Sequence, residues 1–394
     1  MIGLCINHYF ENYGGILQAY ATVWLLEERG IDYRLIRYEK DKGFAFFLQS
    51  IPRLFNPVLV NDKLEAAKKK LGLLRNPEFA RQEAIRKGAF RRFRAEHFIK
   101  LSAVYQGYKA LCEGTQDYDA FITGSDQLWS PAGLPTNYYT LVFVPDGIRK
   151  ISLASSFGVA KIPWYQKKRT ARYLRRIDHI SMRENRGAEI VRELTGRSVP
   201  TVLDPVFMPD AEAWRRLIPE EKRIQEPYLL AYLLGNSAEN RACVQRAAQT
   251  LGCKIVTFRH LDQYAKAAEQ FGDYAPYDAD PAMFLNLLRG AEYVCTDSYH
   301  GTVLSVIHEK KFVTFDRYSS RSIVSKNSRI DTLTQNLQLK QRRYRAGEAL
   351  ASQLTAEIDY AGVNERLKRL RAETAEYLDQ SLKGLHGEVN ACYQ

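Results

Sequence analysis

Short apolar runs alternate with stretches of helical spacing along nearly the whole chain. Runs at Met1–Asn7, Tyr33–Arg37, Ala120–Ile122, Ile151–Ala154, Ile177–Ser181 and Pro200–Leu203 read as buried strands, and Tyr228–Leu233, Lys254–Thr257, Tyr293–Cys295 and Phe312–Phe315 repeat the pattern further on. Between them Gly15–Arg29, Thr302–His308 and Val363–Leu382 carry apolar residues at helical intervals. Uninterrupted apolar strands joined by helices are the signature of parallel sheets covered on both faces. The expected fold class is therefore α/β, with two Rossmann-like doubly wound domains facing a cleft. The junction falls at Asp204-Pro205, giving an N-terminal domain over 1–204, a C-terminal domain over 205–345, and a helical segment over 346–394 that packs back on the first domain. From 44 to 101 the pattern turns long, charged and helical, as an insertion with a basic and an apolar half.

A length of 394 residues, 45% of them hydrophobic, supplies cores for two such domains. The balance of 57 basic against 45 acidic residues gives a net charge of +12. The surplus is concentrated in Arg86–Lys100 (RKGAFRRFRAEHFIK) and Lys161–Arg176 (KIPWYQKKRTARYLRR). No helix-turn-helix, zinc-finger or RNA-binding signature accompanies these runs, so nucleic acid ranks below a solvated helix face, anionic substrates or an anionic membrane surface. The cysteines at 5, 112, 243, 253, 295 and 392 form no CxxC pair, which points to a reduced, cytoplasmic protein without a zinc or disulfide frame. The start, MIGLCI, reads as a strand and lacks the charged-then-apolar pattern of a signal peptide. The apolar segment 43–60 is interrupted by Arg53 and two prolines, too broken to span a bilayer, and at most lies peripherally on the inner face of the membrane.

Polar or glycine-bearing turns follow several strands, the place where open α/β sheets bind ligands. NYGG presents Asn12, Gly14 and Gly15 after the first strand, where glycines let a ligand approach the backbone. It lacks the spacing of a dinucleotide fingerprint or a P-loop, so neither a nicotinamide nor an ATP site is indicated. GSDQLW places Ser125, Asp126 and Gln127 after another strand, suited to a general base and to holding sugar hydroxyls, or alternatively to capping a turn. SMRE sets Arg183 near the domain junction, where its fork geometry suits a carboxylate or phosphate and an ordinary ion pair is the plain alternative. TDSYHG joins a strand to a helix, an anion site by its unpaired backbone N–H groups. Asp297 and Ser298 are also ordinary helix caps, whereas His300 beside Gly301 exceeds what a cap requires. No His/Cys/carboxylate spacing matches a metal ligand set.

In their order and spacing, NYGGILQAYA, GSDQLW, SMRE followed by VLDPVF, TDSYHGTVLSVI and DYAGVNERLKRLRAETAEYL resemble the polysaccharide pyruvyl transferase family. The resemblance covers nearly the whole chain, with 44–101 matching only in general character. It implies a two-domain architecture of the glycosyltransferase GT-B type. It also implies transfer of the enolpyruvyl unit of phosphoenolpyruvate onto two hydroxyls of a hexose, in a glycan or a lipid-linked glycan, to make a pyruvate ketal and release phosphate. Phosphoenolpyruvate is then the donor substrate and no cofactor is needed. By the same resemblance His300 falls on the active-site histidine as proton donor or phosphate contact; of the cations and carboxylates that chemistry requires, Arg183 is the candidate clamp and Asp126 the candidate base. Arg321, Asn327 and Arg329 complete the anion site, and Ser298 and Gly301 line it. Two other readings fit the same features: a glycosyltransferase with a nucleotide-sugar donor, and a non-catalytic sugar- or anion-binding protein.

Overall fold

The computed structural model describes residues 1–41, 64, 67, 69–70, 72–74, 76–131, 137–258, 271–317 and 328–385. The first domain contains β1 (Ile2–Cys5), α1 (Tyr13–Glu27), β2 (Tyr33–Glu39), α2 (Pro77–His97), β3 (Leu101–Gln106), α3 (Gly107–Glu113), β4 (Ala120–Gly124), β5 (Arg149–Ser155), α4 (Trp164–Arg176), β6 (His179–Met182) and α5 (Asn185–Thr195). Its six strands lie in the order β3-β2-β1-β4-β5-β6, parallel throughout, with Ile2 opposite Tyr33 on one side and Ala120 on the other. The second domain contains α6 (Ala211–Arg215), β7 (Tyr228–Tyr232), α7 (Ala238–Leu251), β8 (Lys254–Thr257), α8 (Pro281–Gly290), β9 (Tyr293–Thr296), α9 (Tyr299–Ile307), β10 (Lys311–Thr314), α10 (Ser328–Asn336) and α11 (Leu350–Thr355). Its four parallel strands run β10-β9-β7-β8. In each sheet the strand order reverses once, between β1 and β4 and between β7 and β9. Such switch points open a crevice at the C-terminal strand ends.

Both helices that begin at these crevices are buried on nearly every face. In α1 the residues Tyr13 to Ala19 are all buried, and Asn12 caps it by accepting a hydrogen bond from the Gly15 N–H at 3.0 Å. In α9 every residue from Tyr299 to Ile307 is buried. A helix apolar all round belongs between two layers, and one contiguous apolar cluster runs from Ile2, Ile16 and Leu17 through Val206 and Phe207 to Leu230, Phe284 and Val303. Tyr13 crosses from α1 to the second domain, donating to the Ala279 carbonyl at 2.8 Å and stacking on Phe284. The terminal helix α12 (Tyr360–Leu382) returns to the first domain. There Tyr377 donates to Ser152 O at 2.9 Å, the Leu203 N–H donates to Thr374 Oγ1 at 3.0 Å, and Arg149 Nη1 donates to Lys383 O at 2.7 Å.

Two elements depart from expectation. LSAVYQ, of which only Leu101 falls within the expected helical insertion, forms the edge strand β3, and α2 is the crossover between β2 and β3. Most of its side chains are exposed, so the apolar signal of a buried strand is missing. Pro200–Leu203 forms only an isolated bridge between Thr201 and Met182. The basic run on α2 is partly structural, since Arg86 is buried and donates to Pro276 O at 2.8 Å, and Arg94 donates to Tyr9 O at 2.8 Å. The apolar segment 43–60 lies outside the described residues. No helix among the described residues is long and apolar enough to cross a membrane.

Candidate active site

The two crevices meet at Asp204. Its carboxylate is fully buried, and Oδ2 accepts from Arg183 Nη1 and from Ser125 Oγ, each at 2.6 Å. Oδ1 accepts from the Val206 N–H at 3.0 Å. From the second domain His300 Nε2 approaches the same Oδ2 to 3.6 Å. Burial pushes the Asp204 carboxyl up, but His300, the Arg183 charge and the Ser125 hydroxyl outweigh it and hold the group far below the usual carboxylate range. Asp204 is thus an ionised hub joining β4, β6 and the first turn of α9.

His300 is placed by a glycine. A Cβ on Gly14 would stand 2.2 Å from His300 Nδ1, so the imidazole of one domain lies directly on the first turn of α1 in the other. One residue on, a Cβ on Gly15 would be 3.8 Å from Asp126 Oδ2, which puts that carboxylate at the same helix start. Asp126 follows an unusual backbone: Gly124, Ser125 and Asp126 have φ of 146°, 50° and 46°. Non-glycine residues seldom take this left-handed region, and strain of this kind collects at functional sites. The turn is held by the Ser125 N–H donating to Leu153 O at 2.8 Å, and it has no room for a side chain at Gly124.

Beside the hub two guanidinium groups share one ring. The Arg183 and Arg329 guanidinium carbons lie 4.6 and 5.5 Å from the Tyr299 ring centroid. Burial and the neighbouring Arg183 charge push Arg329 down to about 10. Arg183 Nε and Nη2, Arg329 Nε and His300 Nε2 are buried without a hydrogen-bond partner among the described residues. Buried donors left unpaired are costly, and donors of this kind suit an anionic acceptor. Glu184 closes the group: it is buried, accepts from Ser156 Oγ at 2.9 Å through Oε1, and leaves Oε2 unpartnered among the described residues. Burial raises its carboxyl against the opposing charges of Arg183 and Arg329. A small cavity of about 20 Å³, lined in part by Arg183, Tyr299, Arg329 and Thr332, has room for about one water molecule.

The structure thus brings together Gly14, Gly15, Ser125, Asp126, Arg183, His300 and Arg329. Arg183 is both ion pair and clamp candidate, because only one of its nitrogens is used by Asp204. Asn12 and Ser298 serve as helix caps, Ser298 Oγ accepting from the Gly301 N–H at 3.3 Å. Gly301 is required by packing, since a Cβ there would meet Thr296 Oγ1 at 2.4 Å. Gln127 lies against Gly158, and Asp297 fixes a loop by accepting from the Leu234 and Gly235 N–H groups at 2.6 and 2.7 Å. Arg321 and Asn327 fall outside the described residues. Sequence reasoning passed over Asp204, taken as a junction, and Glu184 and Tyr299. For Glu184 and Tyr299 the adjacency to Arg183 and His300 in SMRE and SYHG was the available signal, and for Asp204 its place in VLDPVF. Among the described residues no group of three His, Cys, Asp or Glu side chains is placed to hold a metal ion.

Two facing Rossmann-like domains with a charged site at their joined switch points define a GT-B type fold. Solved structures agree on the fold. A putative UDP-N-acetylglucosamine 2-epimerase from Listeria monocytogenes superposes with a TM-score of 0.51 at 11% identity, covering 100% of this chain and 98% of that one. Another UDP-N-acetylglucosamine 2-epimerase gives 0.51 at 10% identity with the same coverage of 100% and 98%. No curated protein matched the chain in sequence. The family model for polysaccharide pyruvyl transferase matches residues 12–320, and the chain belongs to that family. The matched span includes Asp126, Arg183, Asp204 and His300.

Proposed function

We propose that the protein transfers pyruvate from phosphoenolpyruvate to two hydroxyls of one hexose in a glycan or lipid-linked glycan, as a ketal, with release of phosphate. The observation that supports it most is the buried Arg183 beside the half-buried Arg329, both with buried N–H groups unpartnered among the described residues, next to His300. Phosphoenolpyruvate carries a carboxylate and a phosphate on one carbon, and two guanidinium forks suit two such anions. A proton delivered from His300 to the methylene carbon makes the central carbon electrophilic, and Asp126 takes the proton of the attacking hydroxyl. Loss of phosphate and attack by the second hydroxyl complete the ketal. Of the two hydroxyl protons, one ends on the new methyl group and the other leaves with phosphate. Glu184, its carboxyl raised by burial, is a second proton carrier within the site.

The test is a melting curve with phosphoenolpyruvate or with nucleotide sugars, followed by phosphate release in the presence of hexosides. Stabilisation by phosphoenolpyruvate and hexoside-dependent phosphate release are expected. Stabilisation by a nucleotide sugar alone moves the protein to the glycosyltransferase reading; stabilisation without turnover leaves a binding protein. His300→Ala should reduce phosphate release about a hundredfold.

A peripheral membrane position for a lipid-linked acceptor belongs to the same proposal. Arg91 and Arg92 are exposed on α2, and such cations add to affinity for anionic lipid. Salt-sensitive co-sedimentation with anionic vesicles, weakened in an Arg91→Glu/Arg92→Glu variant, is the expected result.

A further inference from the structure

We propose that the β1–α1 turn, Asn7 to Phe10, is the acceptor-hexose subsite; the identity of its role as an acceptor site rests on the pyruvyl-transfer reading above. The turn leaves the C-terminal end of β1, the strand paired with β4 at the switch point, with Cys5 opposite Thr123. It therefore lies beside the Ser125–Asp126 turn and leads into Asn12 and Gly14, on which His300 rests.

Its chemistry suits a sugar. Asn7 and His8 are 8% and 2% exposed, yet Asn7 Oδ1 and His8 Nε2 have no hydrogen-bond partner among the described residues. Burial, aided by the Arg94 and Arg37 charges and opposed by the bond to Ile6, pushes the His8 imidazole down to about 4, so the ring is neutral near pH 7. His8 Nδ1 lies 3.2 Å from Ile6 O. A carbonyl only accepts, so Nδ1 carries the proton and Nε2 presents a lone pair. Asn7 Oδ1 is likewise an acceptor. Consecutive residues thus each offer an acceptor that suits a hydroxyl donor.

The aromatic half of the turn complements this. Tyr9 is 45% and Phe10 64% exposed, an unusual outlay of apolar surface next to a polar crevice. Tyr9 is held against His8, ring centroids 3.8 Å apart, and its carbonyl is bound by Arg94 at 2.8 Å. A hexose has an apolar C–H face and a hydroxyl rim. An exposed ring beside buried acceptors fits both.

Saturation-transfer NMR with methyl β-glucopyranoside, galactopyranoside and mannopyranoside on the full chain reads this site without any turnover. At least one hexoside should bind to the wild type. Phe10→Ala, at an exposed position, should weaken that binding about tenfold while leaving the stabilisation by phosphoenolpyruvate unchanged. His8→Gln should weaken it as well, with circular dichroism and melting confirming the fold. Binding of no hexoside, or equal binding by wild type and Phe10→Ala, overturns the subsite. Hexoside binding lost in Phe10→Ala without phosphate release from phosphoenolpyruvate in the wild type keeps the subsite and rejects the pyruvyl-transfer reading.

Discussion

Asp204 Oδ2 and His300 Nε2 stand 3.6 Å apart across the join of the two domains, and the same oxygen holds Arg183 Nη1 at 2.6 Å. One ionised carboxylate therefore fixes Arg183 from the first domain and faces His300 from the second. Substituting Asp204→Asn keeps the shape and removes the charge, leaving a fully buried Arg183 unpaired. Breaking such a pair costs about 3–5 kcal/mol, so a large fall in Tm at neutral pH is expected; a melting curve like that of the wild type would mean that Asp204 does not hold the site. The folded-state carboxyl is depressed, so its contribution is complete above about pH 4 and is lost as pH falls further. The variant should show less of that acid loss.

Gly14→Ala separates packing from propensity. Alanine inside a helix is favoured over glycine by about 0.5–1 kcal/mol, so α1 by itself gains. Yet the new methyl occupies the position 2.2 Å from His300 Nδ1, and the imidazole must move. Displacement of a reacting group by about 1 Å costs on the order of a hundredfold in rate. Phosphate release should fall on that scale with helical content unchanged, and near-normal turnover would show that the contact carries no function.

Arg329→Gln is expected to divide stability from binding. Burial and the Arg183 charge already work against the Arg329 cation, so removing it should leave the ligand-free Tm unchanged or higher. Charged hydrogen bonds are worth about 1.5–3 kcal/mol, and phosphoenolpyruvate should bind at least about tenfold more weakly. A lower ligand-free Tm with unaltered phosphoenolpyruvate stabilisation would assign Arg329 to the framework.

A second pH dependence should appear on the acid side of neutrality. His8 and His308 are both pushed down to about 4, chiefly by burial, so each is neutral when folded and gains a proton on unfolding below its ordinary range. The unfolded chain then binds more protons, and stability falls as pH drops from about 6.5 through about 4, by up to ~3 kcal/mol for each group. His308→Gln should flatten the Tm-against-pH curve in this window. An unchanged slope would show that His308 does not titrate there.

The alternation of apolar runs and helical stretches determined by itself that this chain forms two parallel α/β layers, because buried strands and their covering helices write their period directly into the sequence. Lys254–Thr257 appears as read, and the helices at Gly15, Thr302 and Val363 begin within a few residues of their observed starts. His300, Arg183 and Asp126 were legible as chemistry after strands, and the family was legible from the order of the motifs. Tertiary structure alone decided what these groups do to one another. Asp204 looked like a junction until folding placed it between Arg183, Ser125 and His300, residues from three strand ends and two domains. Gly14 looked like a place for a ligand, and its neighbour is the His300 ring. The edge strand β3 escaped because its side chains face water. Local pattern reports which face of an element is buried; the partners meeting on that face come from distant parts of the chain, and only their packing fixes charge, distance and unmet hydrogen bonds.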